Sequence, residues 1–221
     1  MKQPGTLELF TYWDRLRAGR LGPLRAEVEP ADVKAVLADM FILENGARDM
    51  PAFRLAGTRV CNVFCREIKA APFESFFARE DRAVAATIVS AAQREGLVSV
   101  AGLAGASRNG RTAMFELLVL PLCDAEPRIL GSVVSTDKPF WLGVDPVETL
   151  TIASLRMIDP NRQPAFLANR PEIPLGERHR PWFGDVRRID DRPGAPMSRP
   201  TGTPVRNGRS FGHLTVIDGG I

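Results

Sequence analysis

Residues 97–122, "LVSVAGLAGASRNGRTAMFELLVLPL", constrain the fold of this chain more than any other stretch. Arg108-Asn109-Gly110 is a tight-turn signal between two runs of strand-forming residues, so the segment reads as a long β-hairpin. In its second strand Ala113, Phe115, Leu117 and Val119 point one way, and Met114, Leu118 and Leu120 the other, interrupted only by Glu116. An antiparallel sheet with one wet face alternates more cleanly. Both faces of this sheet therefore need cover.

Helical patterns upstream supply it. Leu9, Phe10, Trp13 and Leu16 fall on one side of a helix starting at Thr6 and ending by Gly19. Pro30 suits a first helical position, and Val33, Val36, Leu37 and Met40 follow at helical spacing, which predicts a second helix. "MFILEN" and "AFRLAGT" read as short strands around the turn "GARDMP". Residues 59–77 read as short helices broken near Pro72, and 81–95 as a longer helix stopped by Gly96. After the hairpin, "RILGSVVSTDKPFW" is a further strand and "ETLTIASLRMI" another element. The internal helices can cover one face. The N-terminal helix, or a second copy of the protein, must cover the other.

Charge divides the chain. Residues 1–159 carry 19 Lys and Arg against 20 acids, whereas 160–221 carry 10 Arg, no Lys and 6 acids. The basic pI near 9.0 thus belongs to the tail and not to the globular part. That tail also holds 9 of the 18 prolines, which remove donors and fix φ, so it is expected to be disordered or loosely docked. Two apolar islands interrupt it, "RPWFGDVRRI" and "SFGHLTVIDGGI". Three regions follow: 1–25, an N-terminal helix and turn; 26–159, the folded domain; and 160–221, the Pro/Arg-rich tail. No run of 18 apolar residues or apolar leader is present, so neither a membrane span nor a membrane partner is expected. Three cysteines, an odd number, suit a reducing compartment, and the expected location is the cytoplasm.

"YWDRLRAGRLGPLRAEVEPADVKAVLADMFILE" followed by "FRLAGTRVCNVFCREIKAAPFESFF" resembles a bacterial group of small single-domain PAS proteins. The resemblance is carried by Trp13, Arg17, Arg20, Pro23, Arg25, Pro30 and Arg54 to Thr58, and it covers roughly residues 7–142. It implies an α+β sensor fold: a PAS-like five-stranded antiparallel sheet with short helices on one face, here joined by the N-terminal amphipathic helix. One departure is visible. Where such chains usually carry glycines beside the "RE-hydrophobic" phrase, this one has Cys65 and Ala70. Glycine adopts φ > 0 freely and other residues do so at a cost.

The chemistry-bearing residues argue against catalysis. Zinc sites in structural roles take four ligands, but Cys61, Cys65 and Cys123 have no histidine near them; His179 and His213 both lie in the tail. The same lack disfavours heme, and "CNVFCRE" places its Asn three residues before Cys65 instead of directly before it, as the flavin-reactive phrase of PAS chains has it. No cofactor and no metal site are therefore expected, and Cys61 and Cys65 read as small packing residues. A Ser-His-Asp triad would need a base from the tail, and "GLAGASRNG" lacks the Gly-Lys-Ser/Thr ending of a phosphate loop. Arg15, Arg17, Arg20 and Arg25 are interspersed with Glu8, Asp14, Glu27 and Glu29, which favours ion pairs within the protein or a dimer over nucleic acid.

The expected function is that of a cytoplasmic PAS signalling module without catalysis or an output domain of its own, binding a protein partner. Its apolar layer between sheet and helices is a candidate ligand pocket, lined by Phe53, Leu55, Val60, Val63, Phe64, Phe73, Phe76, Phe77, Ile88, Phe115 and Leu117; a fully packed core is the competing reading. A homodimer is expected through Leu9, Phe10, Trp13, Leu16, Met114, Leu118 and Leu120. The alternative is a nucleic-acid-associated regulator acting through the Arg-rich tail.

Overall fold

The computed structural model describes residues 1–46, 50–162, 208–211 and 214–217. The chain divides into two units, 1–163 with 207–221, and 164–206, and the described residues all belong to the first. Part of the "GARDMP" turn, the island "RPWFGDVRRI" and both histidines lie outside the described residues.

Helix α1 (Pro4–Arg17) opens on proline, which is pre-set for a first turn, and ends on Ala18 in the left-handed region, with Arg15 and Arg17 in its last turn. The segment expected to form a second helix from Pro30 does not. Its hydrogen bonds run from Val33 to Pro30, Val36 to Val33 and Asp39 to Val36, and it closes in a 3-10 turn over Leu37–Asp39. Val33 and Val36 are buried whereas Leu37 is exposed, so the apolar spacing in use is three, the repeat of the tighter helix.

Strands β1 (Met40–Asn45) and β2 (Pro51–Ala56) form the first hairpin. Helix α2 (Thr58–Val63) and a 3-10 turn (Phe73–Phe76) follow, then helix α3 (Arg82–Glu95). Gly96 ends α3 at φ 69°, donating to Ala92 O while the Leu97 amide reaches Ala91 O. Strands β3 (Val98–Ser107) and β4 (Thr112–Leu122) make the hairpin anticipated above, turning through Gly110 at φ 74°. Strands β5 (Arg128–Ser135) and β6 (Val147–Ile158) complete an antiparallel sheet of six strands in the order β2-β1-β5-β4-β3-β6. The sixth strand is an addition to the expected five, running along the open edge of β3. Its own far edge is partly sealed, because Ala78 N donates to Leu150 O and Ile152 N to the buried Asp81 carboxylate, each at 2.8 Å. A short pair, β7 (Gly208–Phe211) with β8 (Leu214–Ile217), lies within the expected tail.

Both faces of the sheet are covered. Ala113, Phe115, Leu117 and Val119 join α2 and α3 in an inner core; Leu118, Leu120 and Leu122 join α1 in an outer one. Among the described residues no helix is long and apolar enough to cross a membrane.

Candidate functional site

Ten of the eleven residues expected around an inner pocket are buried in one cluster. Their rings interlock: Phe53 lies 5.5 Å from Phe76, Phe64 4.5 Å from Phe76, and Phe73 5.2 Å from Phe77, centroid to centroid, at steep interplanar angles. Phe41, which the sequence reading had not singled out, inserts between Phe53 and Phe73 from β1. This layer is packed ring against ring. The exception is Leu55, which is 47% exposed on the opposite face. A register shift between Ile42 and Leu43 sets Leu55 across from Ile42 and Phe53 across from Leu43, leaving Arg54 as the extra residue. That bulge turns Leu55 away from the inner core and corrects its assignment to the pocket.

The residues expected at a dimer contact are largely used within one chain. Leu9, Trp13, Leu118 and Leu120 are fully buried together, and the Trp13 indole donates to Pro121 O at 2.8 Å. Phe10, Leu16 and Met114 are half-buried. The N-terminal helix, one of the two covers anticipated for this face, is in place.

The cysteines divide as their surroundings dictate. Cys61 is buried on α2, with Sγ 3.7 Å from a Glu67 carboxylate oxygen, and burial pushes its thiol up from the usual range. Cys65 and Cys123 are exposed. Cys65 sits at φ 50° and Ala70 at φ 63°, so the left-handed turns survive the departure from glycine. Among the described residues no group of three His, Cys, Asp or Glu side chains could hold a metal.

The arginines are engaged inside the fold. Arg17, 5% exposed, reaches Asp14 at 2.7 Å, Asn161 Oδ1 at 2.8 Å and Pro160 O at 2.8 Å, and lies over the Trp13 ring. Arg20 donates to Glu27, holding that carboxyl below its usual range, with the Leu24 amide as the second cause. Arg25 donates to Val28 O, and Arg15 lies over Tyr12.

Two of the concave surfaces among the described residues adjoin the sheet. On the outer side a groove of about 510 Å³ runs between residues 25–40 and the β1–β2 hairpin. Val28, Val33, Met40, Ile42 and Leu130 form its floor, while Leu37 (40% exposed) and Leu55 stand in water at its margin. Among the described residues its lining includes two cations, Arg25 and Lys34, and no carboxylate. At one end of the sheet, a cleft of about 380 Å³ opens between α2, the end of β5 and residues 138–143. Val63, Val133 and Leu142 supply apolar walls, and Asn62, Ser135 and Lys138 the polar ones. Arg59 also borders it, closed onto Asp39 by contacts of 2.7 and 2.6 Å that push the guanidinium pKa further up. Of the groove and cleft residues, the sequence reading had selected Leu55 and Val63 for a pocket, the former on the wrong face.

A family model described as "PAS domain" matches residues 1–134. No curated protein matches the chain. The match spans more than half of the sequence, and the antiparallel sheet with short helices on its inner face agrees with it. The chain belongs to the PAS domain family and is, on that ground, a signalling or sensory module.

Proposed function

We propose that this chain is a non-catalytic signalling module of the cytoplasm that acts by binding a protein partner in the outer groove. The observation that carries the proposal is the pairing of Leu37 and Leu55, large apolar side chains left in water, above a floor of Val33, Ile42 and Leu130. Apolar surface gathered in this way is characteristic of interaction sites. Arg25 and Lys34 without a lining carboxylate favour an occupant with an apolar stripe flanked by acidic residues. A second copy presenting the same groove would oppose like charges, which favours a different protein. The packed inner layer supports an interaction role over enclosure of a large ligand, and three free cysteines support a reducing compartment.

Site-specific photo-crosslinking in the source cell tests this reading. A photoreactive residue replacing Leu55 should capture one defined protein carrying an acidic amphipathic segment, and the same residue replacing the exposed Glu126 should not. Loss of that adduct in a Leu37→Asp background would place the contact in the groove. Adducts only to the chain itself would replace this reading with the homodimer, and adducts only to nucleic acid would favour the regulator. Identical adducts from both positions would remove the groove from the account.

A further inference from the structure

We infer that the cleft between α2 and the loop after β5 is a binding site for a small amphipathic carboxylic acid, with Lys138 as its anion partner. Three observations converge on it. Its walls are apolar on one side, through Val63, Val133 and Leu142, and its volume of about 380 Å³ lies within the range of small-molecule sites. The charges at its mouth are not balanced: Arg59 and Asp39 neutralise each other, whereas Lys138 has no ion-pair partner among the described residues. Its neighbour Asp137 instead accepts hydrogen bonds from the Met114 amide and the Ser135 hydroxyl.

The backbone supplies the third observation. Lys138 occupies the left-handed region at φ 42°, where a side chain with a Cβ is strained, and its amide is tied to Ser135 Oγ at 3.1 Å. Strain of this kind gathers at ligand clamps. Lys138 stands at the rim of an apolar cleft that Asn62 also lines, and the Asn62 side-chain amide, without a hydrogen-bond partner among the described residues, can donate a second hydrogen bond. One ammonium and one amide above an apolar wall match a single carboxylate on an apolar body. A phosphate dianion would call for more donors.

The test is a titration of the full chain with hexanoate and, as its uncharged counterpart, hexanamide, followed by amide NMR shifts and calorimetry. Hexanoate should saturate shifts at Val63, Val133 and Leu142 and bind about tenfold more tightly than hexanamide. Lys138→Met should weaken hexanoate by about tenfold and leave hexanamide unchanged, and Lys138→Arg should retain hexanoate binding. Lys138 and Asn62 are both exposed, so Lys138→Met and Asn62→Leu should stay folded, with the second also weakening the acid. Equal binding of acid and amide, shifts confined to Val33, Leu37 and Leu55, insensitivity to Lys138→Met, or no saturable binding would each overturn the assignment. Crosslinking through Leu55 reports on a different surface, so the two proposals fail separately.

Discussion

Ala70 shows how far a single residue can depart from what its backbone prefers. Its φ of 63° belongs to the region that side chains with a Cβ avoid, and Cys65 at 50° repeats the situation five residues earlier. The surrounding hydrogen bonds explain why the conformation persists. Ala70 N donates to Phe53 O at 2.7 Å and Phe53 N to Ala71 O at 3.1 Å, so β2 holds the turn from both sides. Ala70→Gly should therefore stabilise the protein, since relief of the strain exceeds the added entropy of the unfolded chain; the expected gain is about 1 kcal/mol. Urea unfolding measures it, and an unchanged or lower midpoint would show that the turn carries no strain. The absence of glycine was visible in the sequence, but the retention of the turn was not, because it depends on hydrogen bonds to β2. Leu55 was misread for a related reason: two-residue alternation cannot anticipate a bulge that uses Arg54 as an extra residue.

At the scale of elements, the β3–β4 hairpin was the most legible part of the fold. Its turn residues and its two-sided apolar strand together require a sheet covered on both faces. Glu116, the lone charge in that strand, was legible as an interruption but not as a part. It is buried on the outer face, where its carboxylate accepts the Lys2 amide at 2.6 Å and the Gln3 amide at 3.0 Å. The first turn of α1 contains no acid of its own, so β4 supplies the negative group that the helix start favours. Local capping patterns could not reveal this, since the donors and the acceptor lie 114 and 113 residues apart in the sequence. Glu116→Gln keeps the shape and one acceptor oxygen but removes the charge, and should cost about 1 kcal/mol. Amide exchange should quicken selectively over Lys2–Leu7. Unchanged exchange there would mean that α1 is held by its apolar stripe alone. The Pro30 segment is the opposite case, because its apolar spacing fits an α-helix and a 3-10 path equally well until Met40 is committed to β1.

For the whole molecule, the division into a neutral globular part and a basic, Pro-rich remainder was readable from charge alone. What closes the globular part at its C-terminal end was not. A boundary near Asp159-Pro160 falls between β6 and two partners of Arg17, namely Pro160 O and Asn161 Oδ1. Arg17 is an internal group, 5% exposed, lying over Trp13 with its remaining donors on Asp14 and Arg20 O. Removing two acceptors from a buried guanidinium leaves charged donors short of partners, which costs more than losing a neutral surface contact. Two truncations separate this effect from everything beyond it. A chain ending at Arg162 keeps both acceptors, and one ending at Asp159 lacks them. The shorter chain should be the less stable by about 2 kcal/mol, a fall of roughly 4–8 °C in Tm. Arg17→Met introduced into both truncated chains should narrow the difference between them, because the acceptors then have no buried cation to serve. Equal melting of the two truncations would show that water replaces Pro160 and Asn161 without loss, and that Arg17 does not fasten the end of β6 to the N-terminal helix.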